Sequence, residues 1–197
     1  MTRIHNLGKN QIVNEESTKF RKLAAAGVTA TDTTSFSARY GPWALITGAS
    51  RGLGAEFARQ CAEQGLNTIL VATNADLLKK QADSIKKDYG VEAKTIVLDL
   101  SWEDILQEIT PVTDSLKIGL LVNNASLSKV RPFLNHTLDQ LVKQLHVNAR
   151  AGLILAYHFG RKMAEQRRGG IIFLSSCSTT TSHCPSVDML QHLSCIH

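Results

Sequence analysis

Five short apolar segments, separated by amphipathic stretches of helical length, restrict the fold of this chain more than any other feature. The segments are WALIT (43–47), NTILVAT (67–73), KTIVLDL (94–100), IGLLVNN (118–124) and GIIFLSS (170–176). The stretches between them predict helices around 57–62, over 75–87, from about 103, and over 138–166. Strands that alternate with helices are joined by right-handed crossovers, which produce a parallel sheet covered on both faces. We therefore predict a doubly wound α/β fold.

Length and composition place the chain among single-domain proteins. It has 197 residues, of which 43% are hydrophobic and 20% charged. No stretch approaches the roughly 20 consecutive apolar residues of a membrane span, and the first 20 residues lack the apolar core of a signal peptide. The four cysteines do not have the dense spacing of a disulfide scaffold, so free thiols are expected. We expect a cytoplasmic protein.

Two flanking segments depart from the strand–helix pattern. Residues 1–41 are polar and rich in Ser and Thr, and they predict an N-terminal extension with one short helix around 15–26. Residues 177–197 predict an irregular tail. The tail holds three of the four cysteines and three of the seven histidines, but without zinc-ligand spacing, so no metal site is predicted. The folded domain is expected over 42–176.

The charge balance is basic but does not indicate a nucleic-acid partner. The net charge is +5 with a pI near 9.1. Lys and Arg are spread along the chain and interleaved with acidic residues, whereas nucleic-acid-binding proteins concentrate them in a patch or stripe. A basic balance also suits a phosphorylated small molecule.

The most specific motif is the glycine-rich stretch TGASRGLG at 47–54, between an apolar strand and an amphipathic helix. Glycines in this position allow a tight turn and bring backbone N–H groups and the helix N-terminus close to a pyrophosphate. The motif in this context predicts a dinucleotide site in a Rossmann-type sheet. The alternative is a purely structural turn.

The end of the second strand indicates which dinucleotide binds. An Asp or Glu there would hydrogen-bond a ribose 2′-hydroxyl, but the chain has Val71-Ala72-Thr73-Asn74. Arg51, inside the glycine loop, is able to pair with a 2′-phosphate. NADP (NADPH) is therefore predicted in preference to NAD. The alternative reading of Arg51 is a solvated surface cation.

Several further residues, taken with the glycine motif, resemble the short-chain dehydrogenase/reductase family over about 43–176. They are Asp99 after the third strand, Asn123-Asn124-Ala125 after the fourth, Asn148 in the long helix and Ser176 after the fifth. The stretches YGPWALITGASRGLG and KIGLLVNNASLS are similar to the branch that contains 3-oxoacyl-CoA reductases and 17β-hydroxysteroid dehydrogenases. The resemblance implies an oxidoreductase that reduces a small-molecule carbonyl with NADPH.

The resemblance also implies roles for individual residues. Asn148 would hold a water in a proton relay, and Ser176 would hydrogen-bond the substrate carbonyl. The predicted cofactor-binding residues are Gly48, Ser50, Arg51, Gly52, Leu53, Gly54, Thr73, Asn74, Asp99, Leu100, Asn123, Asn124 and Ala125. Two positions depart from the family pattern, because Ser126 stands where Gly is usual and Thr73 where NADP-preferring members often have Arg.

The family's proton donor has no counterpart in these residues. The resemblance implies a Tyr-x-x-x-Lys pair after the serine, in which the Tyr hydroxyl donates the proton and the Lys lowers the pKa of that hydroxyl. The Lys is needed because an unperturbed Tyr has a pKa near 10, which is poorly matched to neutral pH. No Tyr in the chain has Lys four residues on, and the last Tyr and Lys, Tyr157 and Lys162, precede Ser176. We expect the family pattern to stop at Ser176 or a few residues beyond, as a premature end, frameshift or alternative splice would cause.

The missing elements have a physical consequence. With a sheet incomplete after the fifth strand, residues 171–174 would lie on an open edge, and the long helix would lack a partner helix. Self-association through these surfaces is expected. The apolar helix residues expected to need another cover are Leu138, Leu141, Leu145, Leu153, Ala156, Phe159 and Met163. Three possibilities remain open: an impaired reductase, a catalytically silent dinucleotide-binding module and a non-functional truncated product.

Overall fold

Five parallel strands form the sheet that the apolar segments predict. The computed structural model describes residues 35–129 and 132–175, and within them the strands are β1 (Trp43–Thr47), β2 (Asn67–Ala72), β3 (Ala93–Val97), β4 (Ile118–Asn123) and β5 (Gly170–Phe173). The strands lie in the order β3-β2-β1-β4-β5, and every neighbouring pair is parallel. The predicted doubly wound α/β class is confirmed. The order reverses at β1, so a crevice forms at the carboxyl ends of β1 and β4.

Helices cover both faces of the sheet. In the described ranges they are α1 (Phe36–Tyr40), α2 (Gly52–Glu63), α3 (Ala75–Tyr89), α4 (Leu106–Thr113), α5 (Leu138–Leu145) and α6 (Ala151–Glu165). A π-helical turn, His146–Arg150, joins α5 to α6 without a break, so the predicted long helix is one continuous helical run with an irregular turn in it. No helix in the described part of the chain is long and apolar enough to cross a membrane.

The alternation of side chains along each strand divides the core in two. Successive strand residues point to opposite faces, so Leu45 and Ile46 of β1 enter different clusters. The cluster around Leu45 includes Leu155 and Phe159 of α6. The cluster around Ile46 includes Ala58 of α2, with Leu78 and Ile85 of α3. Both faces of the sheet are therefore sealed by apolar packing.

The expectation that the apolar residues of the long helix lack a cover is wrong for two of them. Phe159 and Met163 are 0% and 6% exposed, because α6 packs directly on the sheet without a further helix. Leu138 and Leu153 are 74% and 56% exposed, as expected. The helical run thus has one face in the core and one face in solvent.

Three predicted boundaries are displaced by a few residues. The third strand ends at Val97 and not at residue 100, and the fifth ends at Phe173 and not at residue 176. The helix after β3 begins at Leu106, whereas the sequence places its start near Glu103. Leu98 and Leu100 are buried although they lie beyond the strand, which is why an apolar pattern extends the strand too far.

Helix α1 lies inside the stretch that the sequence predicts as an extension. Its Phe36 and Tyr40 pack against the α2–α3 side of the core. The carbonyl of Tyr40 lies so close to Gly119 that a Cβ on that residue would overlap it, which explains the glycine at the start of β4. The domain limits at 41 and 176 stay predictions, and the helix around 15–26 and the tail from residue 177 lie outside the described residues.

The two faces of α6 allow a matched test of this packing. Leu155→Ala should lower the free energy of unfolding by about 2–5 kcal/mol, because it empties a fully buried site. Leu153→Ala, two residues away on the exposed face, should change it by less than about 0.5 kcal/mol. Denaturant unfolding of both variants measures the difference, and equal losses would contradict the packing described.

Candidate functional site

An open cavity of about 620 Å³ lies at the carboxyl ends of the strands. Its size falls within the range of about 300–1,000 Å³ that ligand pockets occupy. The lining comes from loops that follow four strands and from the helical run. The lining residues are Gly48, Ser50, Arg51, Gly52, Leu53, Val71, Ala72, Thr73, Leu98, Asp99, Leu100, Asn124, Ala125, Ser126, Leu127, Lys143 and Val147.

The glycine loop after β1 forms one wall, and its geometry requires glycine at three positions. Gly48 and Gly52 have φ values of +67° and +59°, which side chains other than Gly rarely adopt. A Cβ on Gly54 would lie 2.3 Å from the Gly48 carbonyl oxygen, so Gly54 lets α2 pack against the loop. A Cβ on Gly52 would meet nothing within 4 Å. The loop therefore leaves open space in front of the α2 N-terminus, where a phosphate is favoured.

Arg51 is the residue before α2 and its side chain is exposed at the cavity. Its side chain makes no capping hydrogen bond to the helix. Among the ion pairs of the described residues, none involves Arg51. With no ion-pair partner in the described part of the chain, its guanidinium is available to an anionic ligand.

The ends of β1 and β4 are tied together by Thr47 and Asn124. The Thr47 hydroxyl accepts from the backbone N–H groups of Asn124 and Ala125, both at 3.0 Å, and donates to the Val122 carbonyl at 3.3 Å. The Asn124 side-chain amide donates to the carbonyls of Thr47 at 2.9 Å and Gly48 at 3.3 Å. These bonds hold the glycine loop against the loop that follows β4.

Asn148 occupies the π-helical turn and holds the loop after β4. Its Oδ1 accepts from the Leu127 N–H at 2.7 Å, and its Nδ2 donates to the Leu127 carbonyl at 3.0 Å. Asn123 is 8% exposed, and its Nδ2 has no hydrogen-bond acceptor among the described residues. Asn123 and Asn148 line a separate cavity of about 20 Å³ behind the main one. That volume suffices for one water molecule.

Asp99, after β3, is the acidic group of the cavity. Its Oδ1 accepts from the Ser101 N–H at 2.9 Å and hydroxyl at 2.7 Å, and its Oδ2 accepts from Lys143 Nζ at 2.7 Å. Burial would raise the pKa of Asp99, but the hydrogen bonds from Lys143 and Ser101 outweigh burial and lower it below its usual value. The carboxyl is therefore ionised at neutral pH.

The structure brings most of the predicted cofactor residues into one cavity. The exceptions are Gly54, which lies behind the loop, Asn74, whose side chain caps α3 by accepting from the Leu77 N–H, and Asn123 at the rear cavity. Ser176 lies outside the described residues. The predicted cofactor residues that line the cavity are Gly48, Ser50, Arg51, Gly52, Leu53, Thr73, Asp99, Leu100, Asn124 and Ala125.

Sequence reasoning missed two residues that matter for this geometry. Thr47 directly precedes the glycines, and a hydroxyl residue at that strand end was an available signal. Lys143 is 44 residues from its partner Asp99, so no local pattern connects them. Ser126, Leu127 and Val147 also line the cavity without having been predicted as site residues.

Comparisons with known proteins agree with this architecture. The sequence model of the short chain dehydrogenase family matches residues 42–186. The chain is 36% identical to a very-long-chain 3-oxoacyl-CoA reductase-like protein of Arabidopsis thaliana, over 70% of this chain and 45% of that protein. It is 34% identical to hydroxysteroid dehydrogenase-like protein 1 of Gallus gallus, over 71% of this chain and 43% of that protein. The chain thus spans less than half the length of these curated relatives.

A solved structure supports the same relationship. A metagenomic short-chain oxidoreductase in complex with NADP superposes with a TM-score of 0.70 at 29% identity. The superposition covers 76% of this chain and 68% of that one. The shared part therefore includes most of the described residues.

The hydroxyl of Thr47 provides a test of the junction between β1 and β4. Thr47→Val should lower the free energy of unfolding by about 1–3 kcal/mol, because two backbone N–H groups lose their acceptor. Thr47→Ser keeps the hydroxyl and should restore most of the stability. Chemical unfolding of the two variants is the measurement, and a valine variant as stable as the serine variant would refute the proposed junction.

Proposed function

The chain belongs to the short-chain dehydrogenase family, and on that premise we propose that it binds NADP(H) in the cavity at the carboxyl ends of its strands. The observation that carries the proposal is the convergence of the glycine loop, Arg51 and Asp99 on one cavity. Gly52 faces open space that a side chain would enter, and Gly48 and Gly54 allow the close packing of the loop, the segment after β4 and α2 that forms this wall. The residues therefore fit a dinucleotide.

Arg51 favours the phosphorylated cofactor. It is exposed at the cavity lining, and neither Thr73 nor Ala72 at the end of β2 offers a carboxylate for a ribose 2′-hydroxyl. A 2′-phosphate would give Arg51 a charge-assisted partner. We assign Asp99 and Leu100 to the adenine end and Asn124 and Ala125 to the riboses.

The substrate class follows from the relatives. We propose that the family reaction is reduction of a small-molecule carbonyl, either a 3-oxoacyl thioester or a ketosteroid, as the names of the relatives indicate. NADPH would supply the hydride. Ser176 would hydrogen-bond the carbonyl oxygen, and Asn148 would order a water for proton transfer. The main chain of Asn148 is the group we assign to that water, because its side chain already bonds Leu127.

We further propose that these 197 residues bind NADPH but reduce carbonyls slowly. No Tyr among them is followed four residues later by Lys, so the family's general acid and the cation that lowers its pKa have no counterpart. An impaired oxidoreductase is the first reading. A silent dinucleotide-binding module and a non-functional product are the alternatives.

Self-association is a related proposal. Ile171 and Ile172 of the edge strand β5 are 37% and 38% exposed, and Leu153 and Tyr157 lie exposed on α6. Tyr157→Ser, which removes a large exposed ring from α6, should shift sedimentation toward monomer. The cytoplasmic location and the absence of a nucleic-acid partner stay predictions from the sequence.

Cofactor binding is tested by fluorescence titration with NADPH and NADH. We expect NADPH to bind at least about tenfold more tightly, because Arg51 contributes a charged hydrogen bond only to the 2′-phosphate. Arg51→Ala should remove the preference and leave NADH binding unchanged. Lys87→Ala, which removes an exposed cation from the last turn of α3, should change neither affinity.

Gly52→Asp is the variant that tests the site itself. It places a carboxylate in the space in front of the α2 N-terminus and should abolish binding of both dinucleotides. Gly90→Asp is the matched control, because Gly90 has a similar φ of +68° and a Cβ there also meets nothing within 4 Å. Loss of binding in both variants, or in neither, would argue against the cavity as the cofactor site.

Turnover separates the three readings of function. We expect NADPH consumption with 3-oxoacyl-CoA or ketosteroid substrates to exceed the rate without protein only slightly, because no Tyr-x-x-x-Lys pair is present among these residues to donate the proton. A rate equal to that without protein would favour the silent module. Clear consumption that Ser176→Ala abolishes, and Ser178→Ala does not, would establish an active reductase instead. A chain that binds no dinucleotide at all would favour the non-functional product.

A further inference from the structure

The π-helical turn between α5 and α6 lies against the loop that joins β3 to α4. The first and last residues of the turn, His146 and Arg150, both contact this loop. His146 Nδ1 lies 3.0 Å from the Ser101 carbonyl oxygen, and Arg150 donates to the Trp102 carbonyl at 3.0 Å. Arg150 also donates to the Glu103 carbonyl. The turn thus contacts three successive carbonyl groups of one loop.

Arg150 bonds main-chain groups of this loop and not its carboxylates. Residues 101–105 lie outside the strand and the helix that they connect, so side chains of other elements supply donors to their carbonyl groups. Among the ion pairs of the described residues, none involves Arg150, although Glu103 carries a carboxylate. A planar guanidinium that donates to two successive carbonyl groups fixes the path of the backbone between them.

The loop that Arg150 holds continues directly into the wall of the main cavity. Leu98, Asp99 and Leu100 line that cavity. The Trp102 N–H donates to the Asp99 carbonyl at 3.1 Å, and the Ser101 N–H and hydroxyl donate to the Asp99 carboxylate. Two of the three residues that the π-helical turn contacts are therefore hydrogen-bonded to the cavity wall.

We propose that Arg150 is a positioning residue for the dinucleotide cavity. By holding the carbonyl groups of Trp102 and Glu103, it keeps the adjoining residues 98–100 in the arrangement that binds the cofactor. This inference rests on the proposed function, because it deepens the same site. The two hydrogen bonds are exposed to solvent, so they contribute little to global stability. Their effect is local, because the apparent affinity for a ligand falls with the fraction of molecules whose site is in the binding arrangement.

Trp102 provides a reporter of the loop. The chain has two Trp residues, of which Trp102 is 54% exposed and Trp43, in the core, is 6% exposed. In a Trp43→Phe background, acrylamide quenching of Trp102 fluorescence measures how closely the loop is held. Arg150→Met keeps an apolar stem but removes the donors. It should increase the quenching and weaken NADPH binding by about tenfold, with an unchanged midpoint of denaturant unfolding.

Two further variants separate positioning from charge. Arg150→Lys keeps the charge but donates from a single nitrogen, so it should recover only part of the affinity and of the protection from quenching. Arg161→Met removes the same kind of side chain from the exposed part of α6, where Arg161 bonds Tyr157, and should change neither quantity. Saturating NADP⁺ should restore much of the protection that Arg150→Met loses, because a ligand that binds one arrangement shifts the loop toward it.

Other outcomes overturn the inference, and they differ from a failure of the proposed function. Weaker NADPH binding by Arg150→Met without increased quenching, or full recovery in Arg150→Lys, would show that Arg150 acts only through its charge. Increased quenching with unchanged affinity would show that the cavity wall does not depend on the held loop. A lower unfolding midpoint that accounts for the weaker binding would give Arg150 a merely structural role. Failure of the unmodified chain to bind any dinucleotide would overturn the proposed function as well.

Discussion

The junction between the ends of β1 and β4 is the constraint on which the cavity depends. At this point of a doubly wound sheet the two strands are spatial neighbours, but the chain leaves them in different directions. The side chains of Thr47 and Asn124 join the two departing loops, because each forms hydrogen bonds to backbone groups of the other loop. Because backbone N–H and C=O groups need partners when they are buried, the junction also satisfies groups that no strand pairing reaches. Gly48 and Gly54 then allow α2 to approach the same point closely.

The helical run from α5 to α6 connects the core to the opposite wall of the cavity. Leu155 and Phe159 fix α6 on the sheet, and the π-helical turn continues that fixed helix toward the cavity. Asn148 within the turn holds the loop after β4, and Lys143 in α5 holds the loop after β3. Irregular π-helical turns are common at functional sites. The position of two cavity walls is therefore determined by apolar packing some distance from them.

How much of this arrangement the sequence predicts depends on how far apart in sequence the residues of each feature lie. The strand–helix alternation and the glycine loop are local patterns, and the sheet order and the positive φ of Gly48 and Gly52 agree with them. The end of β3 was less predictable, because Leu98 lies in the loop after the strand and is buried as deeply as a strand residue. Phe159 was predicted as uncovered, since spacing along a helix does not say what the helix packs against. The pairing of Lys143 with Asp99 joins residues that only the completed fold brings together.

Cofactor binding and proton donation are physically separable parts of the proposed function. Three polar pairs at the cavity have both members within residues 47–148: Thr47 with Asn124, Asp99 with Lys143, and Asn148 with Leu127. These pairs hold the glycine loop and the loops after β3 and β4 by contacts within the described residues, and we expect the affinity for a dinucleotide to depend on them. Proton transfer needs a group of suitable pKa at the substrate carbonyl, which the sheet and its loops do not themselves provide. A chain of this kind can retain the first property without the second, because preorganised hydrogen bonds that bind a ligand do not supply an acid.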